Sequence, residues 1–489
     1  MRRAMQVLDG LGPQESKDTY FYPYDHPYFG QIFLASLLKI VGYPDSLSPK
    51  VGDVHSIEML YLVPRVLMGL LAVADTFLIY KIAEIRYGRN VAFFAGVFFA
   101  VMPLSLLTRG ILLDSLLLPF VLASILFALY SQKISELNRD NLISSRNILV
   151  LISGIFMGLA IFTKIPVFTM MPVIAFIILE KNNKKLKTLG LWLVPVILIP
   201  LIWPASALFT GHFSDWMNGV LWQTSRESSK DLHHSIELIF LIDPILLVLS
   251  IIGFIYSELK GNYFIFLWVV PFVVFLSILG WVVHFHWILM IPVFCIISSL
   301  LIEGVVKKIR YKRLSQVAGI VLITSISFFG LTSTISLISS NLNSAYFELY
   351  SFINQQLMEN TKSYNSSHEN KVDDEIAVVG THRVKALLWI PEHVFDNDKI
   401  VWRDTDIGAQ KLLPPIENKK IIIIVDPNLR NRIIPYETIG NDKDKQISWI
   451  YRNADAIATF INRENNKYEY MGMQENYVLG TFVEVRSNY

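Results

Sequence analysis

Ten runs of mostly apolar residues, separated by short polar connections, dominate the first 338 positions of this chain. A helix needs about 20 such residues to cross a hydrocarbon layer, and only structures that satisfy their own backbone hydrogen bonds survive there. The runs lie near 58–82, 91–107, 111–130, 147–163, 166–180, 189–209, 238–257, 263–283, 286–304 and 316–338. Two of them, 147–163 and 166–180, are short, and Pro166 suits a tight re-entrant pair. With 53% hydrophobic and 17% charged residues over 489 positions, a soluble class is excluded. The expected fold is a polytopic α-helical membrane protein with a C-terminal α/β domain. Its parts are an outer segment 1–57 with an interfacial helix, a ten-helix body 58–338, and the remainder 340–489.

Basic residues set the orientation. Lys81, Arg86, Arg89, Lys133, Arg139, Arg146, Lys181, Lys184, Lys185, Lys187, Lys260, Lys307, Lys308, Arg310, Lys312 and Arg313 fall in one set of connections. The alternate connections hold only Arg65, Arg109, Lys164, Arg226 and Lys230. The positive-inside bias puts the first set in the cytoplasm and both terminal segments outside. Translocating residues 1–57 calls for a preceding helix, and MRRAMQVLDGLGPQ has no apolar signal core. A transmembrane helix upstream of Met1 is therefore expected.

Several functional classes find no support. The single Cys295 allows neither a disulfide framework nor a thiolate metal site, and a net charge of +2 gives no argument for nucleic acid. No HExxH, CxxC, P-loop or GxGxxG occurs, which removes nucleotide-driven pumping.

Candidate site residues gather on the predicted outer face. Residues 24–43, too short and too interrupted by Gln31, Ser36 and Lys39 to span, suit an interfacial helix with Pro27 in its first turn and Asp25 and His26 just before it. TRGILLDSLLLPF at 108–120 puts Arg109 and Asp114 at the mouth of a membrane helix, where ionised groups either serve a site or pair with each other. Lys164 sits at the same level, as a site cation or a snorkelling loop lysine. The loop 211–237, with His212, Asp215, Trp216, Trp222, Arg226, Glu227, His233 and His234, has a composition suited to a sugar or headgroup. His284 and His286 are either metal ligands or, more commonly, interfacial anchors. A divalent metal is compatible with Asp25, His26, Asp114 or that histidine pair, though no spacing fixes a geometry.

Beyond residue 340 the pattern shortens to strand-like runs at 375–380, 399–403, 420–426 and 477–486, and the β-branched run 421–425 reads as a buried parallel strand. ISWIYRNADAIATFINRE (447–464) is predicted as an intervening helix, and 362–375 as a linker carrying the sequon Asn365, Ser366, Ser367.

Three segments resemble the GT-C type glycosyltransferases that use polyprenyl- or dolichyl-phosphate sugars. These include the protein O-mannosyltransferases of family 39 and the lipid A aminoarabinose transferases. DHPYFGQIFLASLL is similar to their Asp-x-His-Pro-Pro-Leu segment, with Tyr28 in place of the second proline. TRGILLDSLLLPF matches Arg-x-x-Leu-Leu-Asp-x-Leu-Leu, and GLAIFTKIPVF resembles Gly-Leu-x-x-x-Thr-Lys. The likeness covers about residues 1–300 and includes Arg65 at a helix entrance. It implies transfer of a mannose-like hexose from the lipid phosphate to a protein, lipid or glycan hydroxyl at the outer membrane face. Partners would be the lipid-linked sugar, a protein or glycan acceptor and membrane lipids. By the same resemblance Asp25 and Asp114 are catalytic candidates, while His26, Arg65, Arg109, Lys164, His284 and His286 bind substrate. The family's acidic pair would precede Met1, so the chain as it stands is expected to be inactive. A lipid-linked sugar transporter, or a non-catalytic partner of a complete transferase, are the alternative readings.

Overall fold

The computed structural model describes residues 1–14, 24–136, 143–180, 185–225, 232–279, 281–339, 343–364, 376–381, 387, 389–395, 400–404, 420–426, 429–430, 447, 451–461 and 482–487. After a short α1 (Arg2–Leu8) and α2 (Phe29–Ile40), the apolar runs become helices: α3 (Val54–Tyr87), α4 (Arg89–Val101), α5 (Leu113–Glu136), α6 (Ile143–Thr163), α7 (Met171–Leu179), α8 (Lys185–Leu198) and α9 (Ile202–Phe209). The polar α10 (Phe213–Thr224) follows, then α11 (Leu232–Ile242), α12 (Pro244–Glu258), α13 (Tyr263–Ile278), α14 (Ile291–Lys307) and α15 (Lys312–Ser339). The chain is thus a polytopic helical membrane protein. Among the described residues six helices are long and apolar enough to cross a bilayer alone, and two more spans arise if bent pairs count as one. One pair is α4 with the 3₁₀ run Pro103–Arg109, bent by 72°, and the other is α11 with α12, bent by 117°.

Three local expectations are corrected. The run at 147–163 is not short, since α6 has 21 residues, whereas the next begins with the 3₁₀ run Ile165–Met170 before α7. Pro166 causes this, because a proline cannot donate the bond that would continue α6. Pro27 lies two residues before α2 rather than in its first turn. Residues 455–461 form a strand, for a reason given below.

Contacts divide the chain into two compact units. One comprises Met1–Gly12, Leu37–Val63 and Ile338–Tyr489, the other Pro13–Ser36 and Pro64–Leu337. Small residues assemble the second. Gly154 and Gly158 on α6 lie so close to the Trp192 and Pro195 carbonyls of α8 that a Cβ would stand 2.5 and 2.6 Å from them. In lipid, where apolar contact alone gives helices little reason to associate, such close approach supplies the packing. On the neighbouring turn Ser124 of α5 donates to the Ser153 carbonyl at 2.7 Å and Ser153 donates to the Ser124 carbonyl at 2.8 Å, a reciprocal pair that satisfies both hydroxyls.

The first unit holds α16 (Ser344–Tyr364) and a five-stranded sheet of β1 (Ile376–Gly380), β2 (Ile400–Asp404), β3 (Lys420–Val425), β4 (Asp455–Ile461) and β5 (Phe482–Ser487), in the order β2-β1-β3-β5-β4. β1 pairs in parallel with β2 and β3, as the continuous apolar runs predict, while β5 is antiparallel to both β3 and β4. The predicted helix at 447–464 fails here. Ile457, Thr459 and Ile461 alternate with period two, favouring a pleated strand, and pairing with β5 outweighs the alanines' helix preference. Residues 365–375, with the sequon, lie outside the described residues. α1 docks on the short helix Trp389–His393 through Arg2–Glu392 at 2.8 Å and Asp9–His393 at 2.7 Å.

Candidate active site

α5 begins at Leu113, so Asp114 lies in its first turn, where unpaired N–H groups favour an anion. Lys164 caps the end of α6 in an extended conformation (φ −157°, ψ 123°) before the 3₁₀ run. Its Nζ reaches Asp114 Oδ2 at 2.6 Å, with both side chains under a tenth exposed. The same ammonium lies 5.2 Å from the centre of the Phe285 ring, a cation–π contact. The sequence alternatives paired Arg109 with Asp114; instead Arg109 turns back and donates to the Ala100 carbonyl at 3.0 Å.

This ion pair lines a small pocket that is partly open to its surroundings. His286 is its other polar lining residue. The walls are apolar: Leu117 from α5, Pro166 and Val167 after Lys164, Phe272, Phe275 and Leu276 from α13, then Leu279 and Leu289. Their neighbours along the chain, Ile165, Phe168, Val274 and Ile278, do not line the pocket but are apolar and exposed, as residues turned toward lipid would be. An apolar slot with a cation at its head suits an amphiphile whose charged end is anionic.

A second cluster surrounds Asp25 and His26. Asp25 is buried, with Oδ2 3.8 Å from His26 Nε2, and His26 Nε2 lies 3.3 Å from the Gln223 side-chain nitrogen. α10 holds this segment in place. Gly219 meets the Tyr24 backbone so closely that no Cβ fits, and Tyr24 stacks on His212, itself 3.1 Å from Asp215. Trp216, a sugar-facing candidate by composition, packs on Trp203 and Phe213 instead. Gly30 in the first turn of α2 abuts Thr163 and Leu113, the residues just before Lys164 and Asp114. His284 lies beside Phe285 without lining the cavity, and Arg65 is exposed on α3. Among the described residues no three His, Cys, Asp or Glu side chains come together to hold a metal ion.

Sequence reasoning passed over Ser115 and Asp243. Ser115 donates to the Leu107 carbonyl at 3.2 Å, and Asp243 is wholly buried between two helix breaks. The Asp–Pro dipeptide inside the apolar run 238–257 was the available signal, since Asp caps a helix and Pro starts one.

The opposite ends of the same elements carry a different cluster. Glu180, after α7, accepts from Arg86 at 2.9 Å and from Gln132 of α5 at 2.8 Å, and Tyr87 bonds Asn262.

Residues 54–207 match the family model described as dolichyl-phosphate-mannose-protein mannosyltransferase, about a third of the chain and the part that carries Arg65, Arg109, Asp114 and Lys164. No curated protein gives a significant sequence match. Three solved structures superimpose on the chain. The archaeal oligosaccharyltransferase AglB from Archaeoglobus fulgidus, in complex with an inhibitory peptide and a dolichol-phosphate, does so with a TM-score of 0.55 and 12% identity. The match covers 88% of this chain and 65% of that one. ArnT from Cupriavidus metallidurans, bound to undecaprenyl phosphate, gives 0.52 and 11% identity over 100% and 92% of the two chains. The Archaeoglobus fulgidus oligosaccharyltransferase tethered to an acceptor peptide containing the NVT sequon gives 0.54 and 10% identity over 94% and 68%. At these identities the likeness establishes a shared fold, and the chain spans under two thirds of the first.

Proposed function

We propose that this chain, which has the GT-C type membrane fold, transfers a hexose of the mannose kind from a polyprenyl or dolichyl phosphate to a hydroxyl of a protein, lipid or glycan. The observation that carries this reading is the buried Asp114–Lys164 pair in a pocket otherwise lined, His286 apart, by apolar side chains. A polyprenyl chain matches the walls, and a phosphate matches Lys164. The reading gains support from the lipid phosphates held by AglB and ArnT and from the acceptor peptide on the oligosaccharyltransferase. By the bias of basic loops, the reaction and the C-terminal sheet lie on the extracytoplasmic side of the cell membrane.

In the step itself, the bond from the sugar's anomeric carbon to the phosphate oxygen breaks and its electron pair leaves with the phosphate. The acceptor oxygen forms the new glycosidic bond, and its proton passes to a carboxylate. Lys164 stabilises the charge growing on the departing phosphate, an interaction stronger in the transition state than before it. Asp114 holds the ammonium in place, and His286 offers the phosphate a second polar contact. Asp25, buried and backed by His26, takes the part of the base within this chain, a reading that departs from the inactivity the resemblance implies. Arg65, Arg109 and His284 bind at the periphery.

The test is reconstitution in vesicles with radiolabelled polyprenyl-phosphate mannose and a mixed peptide and glycan acceptor pool. Donor binding that depends on Lys164, followed by label transfer, is the expected result. A chain that neither binds nor consumes any polyprenyl-phosphate hexose overturns the proposal.

A further inference from the structure

Asp243 breaks an apolar run, LIFLIDPILL, that would otherwise be one continuous span. It is wholly buried at the elbow where α11 and α12 meet at 117°. Its Oδ1 accepts the Leu246 N–H at 3.0 Å, capping α12. Its Oδ2 accepts the Leu104 N–H at 3.2 Å, and Leu104 belongs to the other broken span, the 3₁₀ run that leaves α4 at 72°. One carboxylate therefore satisfies a first-turn donor of each broken helix, and both donors carry the partial positive charge of a helix start.

From Leu104 a chain of short contacts leads to the cavity. Thr108 donates to the Ser105 carbonyl at 2.7 Å, closing the 3₁₀ run, and Ser115 donates to the Leu107 carbonyl at 3.2 Å. Ser115 follows Asp114, which holds Lys164. The 3₁₀ run also packs on the segment His284–Met290 that carries His286. We infer that Asp243 is a positioning residue for the Asp114–Lys164 site, fixing the Pro103–Arg109 elbow from which α5 and its first-turn carboxylate are hung. This rests on the transferase reading for its kinetic consequence, though not for its geometry. A carboxylate is required because both of its oxygens accept, whereas an asparagine in the same place turns an NH₂ toward one of two backbone N–H groups.

The experiment uses the full chain in lipid nanodiscs as Asp243→Asn, Asp243→Ala, Ser115→Ala and the double variant Asp243→Asn with Ser115→Ala. Two properties are read: amide hydrogen exchange, and kcat and KM with polyprenyl-phosphate mannose. Asp243→Asn speeds exchange in residues 103–109 and 112–117 while α6 keeps its protection. It lowers kcat by roughly tenfold to a hundredfold with donor KM little changed, the loss expected when a reacting group is displaced by about 1 Å. Asp243→Ala loses more. Ser115→Ala, which leaves Asp243 and its caps intact, reproduces the fall in kcat, and the double variant falls no further than Asp243→Asn, as expected for two residues in one relay. Exchange that rises equally throughout, or that rises in 103–109 without reaching 112–117, overturns the inference. An unchanged kcat beside loosened 103–117 overturns it too. A wild-type chain with no transfer counts against the proposed function alone, and the exchange results then decide this claim.

Discussion

Asp114 and Lys164 meet at one end of the elements on whose other end Gln132 and Glu180 meet. Asp114 and Gln132 are eighteen residues apart on α5, about 27 Å along its axis. Both ends carry an ion pair, yet they are built differently. Glu180 is shared between Arg86 and Gln132, and the Arg86 and Glu180 side chains are 21% and 27% exposed. Asp114 and Lys164 are more deeply buried, at 6% and 9%, and face an apolar cavity. A partly exposed network costs little to form and works as a clasp between helix ends. A buried pair repays its desolvation poorly, so its presence beside a cavity points to use rather than to stability.

The largest effect falls at the cavity end. Lys164→Met leaves the Asp114 carboxylate buried without its partner, at an expected cost of about 3–5 kcal/mol, read as thermal unfolding. Transfer falls by at least about a hundredfold. Adding Asp114→Leu restores the stability and not the transfer; recovery of both would reduce the pair to a structural one. At the other end Glu180→Gln costs at most about 1 kcal/mol and leaves turnover within about twofold. Loss of turnover in a folded Glu180→Gln protein would erase the distinction between the ends. The smallest effect is that of salt. Raising ionic strength from about 0.01 to 1 M shortens screening from about 30 to 3 Å, so the unfolding temperatures of wild type and Glu180→Gln converge. The gap between wild type and Lys164→Met persists, because a pair whose side chains are only 9% and 6% exposed is screened far less than a surface one.

Hydropathy made the spans legible, because lipid imposes one rule on every crossing segment. It did not show the breaks at Pro103 and Asp243, since a broken helix is as apolar as a whole one. Lys164 and Asp114 stood out singly as charges in apolar surroundings, but their meeting depends on how α5 and α6 pack, which no spacing within either encodes. The glycines were visible and silent: Gly30 and Gly219 acquire meaning only from the Thr163 side chain and the Tyr24 backbone that press on them. In the sheet, β1 and β3 were readable as buried parallel strands, whereas β4, at the edge and with Ile457 44% exposed, owes its form to β5.

The exchange of hydroxyl bonds between Ser124 and Ser153 bears on how the protein is made. α5 emerges from the ribosome first, and in a lone helix each serine can bond a carbonyl one turn back, so pairing adds little to the attraction between the two helices. What it adds is registration. Sliding α6 by one turn along α5 would part both serines at once and carry Gly154 away from Trp192. Two weak bonds thus act as an alignment mark between α5 and α6.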